Sequence, residues 1–205
     1  MQISVYRMTF LVSIVFMAAC APPTSLSKLS INKPLPNTQT SESHSKKQAT
    51  TVSAWEISGA LSAKKQNKGW SASLYWLQQG PNTYQIRLFG PLGGGAIIIE
   101  KKGATITYVD GSKKLTADNA DNLFQQQTGL RLPVSDLYYW VRGLPAPGQV
   151  TSSEYEGGYL ARLRQAGYDI DYTRYVSVSD VRLPETIRLQ GHGTVIKLVI
   201  KHWKI

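Results

Sequence analysis

Few residues in this chain could do covalent or acid–base chemistry. Of three histidines, His44 lies in a polar segment, His192 sits between two glycines and His202 is near the last residue. None forms a metal-type group with Cys, Asp or Glu at ligand spacing, so no metal is expected. No Ser occupies a Gly-x-Ser-x-Gly elbow, although a Ser-His-Asp triad assembled only in space stays open. Gly93-Gly94-Gly95 lacks the Lys and Ser of a phosphate loop. Acidic residues are few, and no pair stands out as an acid/base couple. The expectation is no catalytic residue, no cofactor and no enzyme.

One residue does offer chemistry. Cys20 is the only cysteine in 205 residues, which rules out an internal disulfide. It follows Ala18-Ala19, a short apolar run Phe10–Met17 and the positive charge of Arg7. That run is too short to span a bilayer and reads as an export signal. Met17-Ala18-Ala19-Cys20 resembles a bacterial lipobox, with Met17 where Leu is usual. The resemblance implies cleavage before Cys20 and transfer of a diacylglycerol to its thiol. A free thiol in an ordinary signal is the alternative. Ala21, not Asp, follows the cysteine. By the Gram-negative sorting rule this implies the periplasmic face of the outer membrane.

A second segment could act physically. Arg87-Leu88-Phe89-Gly90-Pro91-Leu92-Gly93-Gly94-Gly95 leaves a strand, turns at Gly-Pro and presents a single large apolar side chain, Leu92. In a water-facing turn that leucine is exposed, and inserting it into lipid is worth roughly 1.5–3 kcal/mol. A leucine folded back on the core, or a harmless exposed one, fits the residues as well.

The elements that must position these residues follow from period and punctuation. Residues 1–19 read as the signal, and 20–51 as a lipidated Cys and a tether too polar to fold alone, whose last part can begin a helix. Residues 52–205 read as one domain. The net charge is +10; the domain retains +6 once Arg7 and the tether's charges are set aside. That balance suits an anionic membrane or an acidic partner; an exported chain has little occasion to meet nucleic acid. Trp55, Ile57, Gly59, Leu61 and Ala63 alternate with polar or small residues, as do Trp70, Ala72, Leu74 and Trp76, and then Tyr84, Ile86 and Leu88. These are half-buried strands. Ala96–Lys101 is another, and Asp110-Gly111 marks a hairpin between 105–109 and 113–116. Asp118 is expected to cap a helix that runs to about Thr128 and ends at Gly129. Pro133 can open a second, with Val134, Leu137, Tyr138 and Val141 on one face. Strands near 158–165, 168–176, 183–190 and 194–203 follow, the last two joined at Gly191-His192-Gly193. The fold class is mainly β with α: one curved antiparallel sheet with a helical cover.

Through most of this domain the chain resembles the LolB family. The likeness is carried by Trp76 with Tyr84, Gly90-Pro91-Leu92-Gly93, Thr116–Ala120, Thr128–Val134, Trp140–Pro145, Gln165–Tyr168, Leu183-Pro184 and Ile196-Lys197-Leu198 leading to Trp203. Gly90 stands where members can carry Asn, and Tyr168 where Trp is frequent. The tether is not matched in detail. The resemblance implies an unclosed antiparallel β-barrel with a helical lid over an apolar cavity. It implies an outer-membrane lipoprotein that accepts passenger lipoproteins from a periplasmic LolA-like carrier. Their acyl chains are held in the cavity and then inserted into outer-membrane lipid, with no nucleotide. By match of the turn, Pro91, Leu92 and Gly93 form the membrane-insertion loop. Acyl-cavity candidates are Leu74, Trp76, Ile86, Leu88, Ile97, Ile99, Leu137, Tyr138 and Trp140, all of which could equally pack a filled core. A monomer is expected. The rivals are another envelope lipoprotein binding lipid or a partner on the same sheet, and an enzyme acting on envelope material.

Overall fold

A computed structural model describes residues 49–91 and 95–205. Cys20, the signal and nearly all of the tether lie outside the described residues, as do Leu92, Gly93 and Gly94.

Among the described residues, eleven strands form one sheet. They are β1 (Trp55–Lys65), β2 (Lys68–Gly80), β3 (Thr83–Phe89), β4 (Ala96–Lys102), β5 (Thr105–Asp110), β6 (Lys113–Ala117), β7 (Val150–Glu156), β8 (Tyr159–Gln165), β9 (Tyr168–Val178), β10 (Val181–Gly191) and β11 (Thr194–Lys204). Their order is β6-β5-β4-β3-β2-β1-β11-β10-β9-β8-β7, so only β1 and β11 pair across a long sequence separation. Every pairing is antiparallel. The edges β6 and β7 do not pair with each other, which leaves the sheet unclosed. The chain crosses between them through α1 (Ala120–Thr128) and α2 (Val134–Trp140).

Alternation explains which face is inside. Trp55, Ile57, Leu61 and Ala63 of β1, Ala72, Leu74 and Trp76 of β2, and Tyr84, Ile86 and Leu88 of β3 are buried. Period two puts them on one face of the sheet. Gly59 keeps the period and also serves a register shift at Ser58/Gly59 in the β1–β11 ladder. A Cβ there would lie 1.9 Å from the Val199 carbonyl oxygen, so only glycine fits. The β8–β9 and β10–β11 hairpins turn through Ala166-Gly167 and His192-Gly193, all four residues at positive φ. Such turns match the strand twist.

Two expectations change. The cap of α1 is Asn119, not Asp118: Asn119 is extended (φ −132°, ψ 115°) and its Oδ1 accepts the Asn122 N–H at 2.9 Å. Asn and Asp cap equally well, so backbone geometry decides between neighbours. Gly129 ends the helix in the left-handed region. β7 is a strand that the period does not reveal. All but one of its residues are exposed, so nothing selects an alternating pattern. Elsewhere strand ends differ from expectation by a few residues.

The second helix begins after Pro133. Val134, Leu137 and Val141 are buried as expected, and Trp140 joins them; Tyr138 is only half-buried. The inner face of the sheet and the inner faces of both helices form one apolar core. The large side chains Trp140, Tyr108, Tyr168 and Phe124 are fully buried within it, so side chains occupy much of the interior.

Candidate functional site

The helical cover is held by a few polar ties at its margins. Gln165, buried at the end of β8, makes three hydrogen bonds. Its Oε1 accepts Trp140 Nε1–H at 3.0 Å and the Ala146 N–H at 2.9 Å; its Nε2 donates to the Ala146 carbonyl at 2.7 Å. One amide thus fixes α2 and the segment behind it to the sheet. Arg142 is also buried. It donates from Nη1 to the Val52 carbonyl at 2.8 Å and from Nε to the Tyr138 carbonyl at 2.9 Å. Its guanidinium lies 4.0 Å from the centre of the Tyr138 ring. Burial lowers its pKa, opposed by the nearby tyrosines. Between the helices, the Val134 N–H donates to Asp121 Oδ1 at 2.9 Å.

The electrostatics of the lid run against its carboxylates. Asp121 is held above the ordinary aspartate range, first by burial, and the N–H groups of Val134 and Ser135 only partly offset this. Asp136 is raised by burial and lowered by Arg131. The Tyr168 phenol, under the lid, is pushed up to about 12, chiefly by burial. The Tyr172 hydroxyl is buried with no hydrogen-bond partner, and burial holds its pKa well above normal.

Two openings flank the cover. Register places the β1–β2, β3–β4, β5–β6, β8–β9 and β10–β11 connections at one end of the sheet. There a cavity of about 530 Å³ lies between the β1–β2 tip, β4, β5 and the end of α1. Trp70, Ile97, Tyr108 and Leu130 give it apolar walls, with Lys65 and Lys68 also in its lining. Lys65 Nζ donates to the Gly129 carbonyl at 3.3 Å, tying the tip to the end of α1. At the other end a cavity of about 630 Å³ lies beside Pro81, Tyr138, Tyr139 and Arg142.

The nine acyl-cavity candidates fall into two groups. Leu74, Trp76, Ile86, Leu88, Ile99, Leu137 and Trp140 are buried in the packed core. Ile97 and Tyr138 are half-buried, and each lines one opening. Trp76 is held in place: its Nε1–H donates to buried Gln78 at 2.8 Å, and its ring packs against Trp55 and Tyr84. That cluster, closed by Trp203 against Trp55, sits toward the end away from the β3–β4 connection.

Of the loop Pro91-Leu92-Gly93, Pro91 is exposed. The Gly90 N–H donates to the Gly95 carbonyl at 3.3 Å and closes the base of the connection. Phe89, immediately before it, is a large apolar residue 40% exposed.

Gln165 and Arg142 fall in stretches that carry the family likeness, but their part in tying the cover was not legible in the sequence. Gln165 lies 25 residues from Trp140 in the chain, and nothing local marks a polar residue as a tie. Its signals were its place at the end of an alternating strand on the inward parity and its position at the head of the Gln165–Tyr168 stretch. Of the histidines, His192 packs edge-on against Tyr168 with ring centres 4.8 Å apart and contacts the Ala166 carbonyl at 3.0 Å. Among the described residues, no group of His, Cys, Asp and Glu could hold a metal, and no helix is long and apolar enough to cross a membrane.

Comparison with known proteins gives a consistent result. Residues 53–203 match the family model described as outer membrane lipoprotein LolB. A protein from Pseudomonas paraeruginosa named outer-membrane lipoprotein LolB is 41% identical over 168 residues, 81% of each chain. One of the same name from Ectopseudomonas mendocina is 37% identical over 161 residues, 78% of each. Among solved structures, a LolA superfamily protein from Nitrosomonas europaea superposes with a TM-score of 0.54 at 11% identity, covering 83% of this chain and 94% of that one. A putative outer membrane lipoprotein-sorting protein domain from Vibrio parahaemolyticus gives 0.51 at 9% identity, over 82% and 93%. At such identities these two report the fold alone.

Proposed function

This chain belongs to the LolB family of outer-membrane lipoproteins, and from that premise we propose that it accepts lipoproteins from a periplasmic LolA-like carrier, shelters their acyl chains beneath the helical lid and inserts them into the outer membrane without nucleotide hydrolysis. It is a binding and transfer protein, not an enzyme. The observation that carries this reading is the opening of about 530 Å³ between an unclosed sheet and the end of α1, with Trp70, Ile97, Tyr108 and Leu130 as its apolar wall and Lys65, Lys68 and Asp110 also in its lining, at the end of the sheet where the Gly90–Gly95 connection closes. Its size suits a small apolar ligand.

In this reading residues 1–19 are the signal, and Cys20 carries the lipid at the head of a tether to residue 51. Residues 52–205 are the acyl-binding domain. Ile97 and Trp70, half-buried at the opening, meet the incoming chain first, with Tyr108 behind them. Deeper entry requires the lid to move, because Leu74, Ile86, Leu88, Ile99, Leu137 and Trp140 are packed together. The driving force is a downhill series of apolar affinities, from carrier to cavity to bilayer, each step scaling with apolar area removed from water. Several acyl chains on Cys20 hold the domain at its destination, and Leu92 leads cargo into the membrane.

A transfer assay tests this. Carrier loaded with a lipoprotein is mixed with the protein in the absence of ATP. Cargo is expected to move to it. If cargo stays on the carrier while the protein is folded, the receptor reading is overturned, and the fold serves another lipid or partner of the envelope.

A further inference from the structure

The outer face of the sheet, at the same end, carries a cationic concavity of about 500 Å³. Its floor is one cross-strand row. Ser71 pairs with Ser62, Ser62 with Lys197 and Lys197 with Arg188. Lys64, two residues beyond Ser62, lies on the same face and completes the lining. No carboxylate lines it. Arg188 pairs with Asp171 at 3.5 Å outside the concavity. Among the described residues Lys64 and Lys197 have no ion-pair partner.

The place of this row matters. Phe89, the last residue of β3, pairs with Ser73. Ser71 is one pleat further along β2, so the row lies just beyond Phe89, on the side where Gly90 and Pro91 leave β3. Trp70 lines both this concavity and the apolar opening. Cations, hydroxyls, an exposed Phe89 and an opening with one apolar wall therefore adjoin at one end of the sheet. That is the chemistry of a bilayer surface, where phosphates sit over acyl chains.

We propose that this concavity takes the phosphate of an anionic phospholipid headgroup and so seats the loop end of the sheet on the target membrane. The proposal rests on the receptor reading, in which that end faces lipid. It assigns the site to the destination and not to the passenger, since the diacylglycerol of a lipoprotein carries no phosphate. Lys64 and Lys197 supply the charge, Ser62 and Ser71 donate hydroxyl hydrogen bonds, and Arg188 flanks them.

The test uses the full lipidated protein in phosphatidylcholine vesicles doped with phosphatidylglycerol bearing a photoreactive headgroup. Cross-linked peptides are mapped by mass spectrometry, and cargo acceptance is measured in parallel. Cross-links are expected on peptides holding residues 62–71 and 197. Each lysine near an anionic surface changes partitioning about five-fold, so Lys64→Gln with Lys197→Gln should reduce cross-linking there by more than ten-fold and leave acceptance from the carrier unchanged. Cross-links unaffected by the double substitution, or confined to the opposite end near residues 80–83 and 102–105, overturn the headgroup site. So does a double variant that slows acceptance itself, which would make the patch a carrier-docking surface. Normal cross-linking without cargo acceptance would sink the receptor reading and leave the headgroup site standing.

Discussion

Gln165 shows how much of the lid depends on one side chain. Replacing it with Leu keeps the volume but strands three polar groups, Trp140 Nε1–H and the Ala146 N–H and carbonyl. An unmet buried donor or acceptor costs about 1–3 kcal/mol. Gln165→Leu should therefore cost about 3 kcal/mol in urea unfolding; a loss under 1 kcal/mol would mean that the tie is incidental. Leu92 lies at the opposite pole of legibility. Its type and its Gly-Pro setting made it conspicuous in the sequence, because a lone leucine in a turn departs from the local rule. Leu92→Glu should leave the melting temperature and cargo acceptance as they are and slow delivery into vesicles at least ten-fold, the loss of the roughly 1.5–3 kcal/mol that a leucine gains in lipid. Delivery at the native rate would remove Leu92 from the mechanism. The six strand candidates, Leu74, Trp76, Ile86, Leu88, Ile97 and Ile99, were legible as inward-facing residues from parity, and Leu137, Tyr138 and Trp140 from their place on the lid helix. Parity does not say whether an inward residue meets a neighbour or a void, and Ile97 differs from Ile99 only in lying nearer the open end.

At the scale of elements, hairpins were readable wherever turn residues and alternation agreed, as at Asp110-Gly111 and His192-Gly193. β7 was not, because an edge strand exposed on both faces has no hydrophobic period to display. It is placed by its ladder with β8 alone. The two helices were readable from their punctuation, Gly129 and Pro133, but not the carboxylate between them. Asp121 receives the Val134 N–H yet is held above the ordinary aspartate range by burial. An acid whose folded pKa is raised keeps its proton longer in the folded state. Its contribution to stability is then fully present below the unfolded value and is lost as pH rises through the folded one. Asp136, raised by burial too, acts in the same direction. The contribution of these two groups to the lid therefore falls as pH rises from mild acid toward neutral. Asp121→Asn keeps an acceptor for Val134 and removes the titration. Thermal melts across the acid range should lose part of their downward slope with pH in this variant. An unchanged slope would place the linkage elsewhere.

For the molecule as a whole, the receptor reading requires an acyl chain to enter a packed interior. Strand pairing is continuous from β6 to β7 through β1 and β11, and each central strand is hydrogen-bonded on both sides. The helices have no such support. Their attachments include the side-chain ties of Gln165, Arg142 and Lys65, the bond of Lys113 to Gln127 and that of Tyr138 to the Ser53 carbonyl, with Asp121 joining the two helices, plus the apolar faces of Leu123, Phe124, Leu137 and Trp140. Elements held by side chains open at lower free energy than the centre of a ladder. Hydrogen exchange should therefore find amides of α1 and α2 exchanging at least ten-fold faster than those in the middle of β1, β2 and β11. A long-chain fatty acid should slow the helices and leave the strands alone, since a ligand that fills the space under the lid stabilises only the states that contain it. The sheet then acts as a fixed floor and the helix pair as its moving part. Helices that exchange as slowly as the central strands, with or without fatty acid, would mean that the lid does not open on its own. Acyl chains would then be confined to the opening beside Ile97 and Tyr108, and Leu74, Ile86 and Leu88 would be core residues and nothing more.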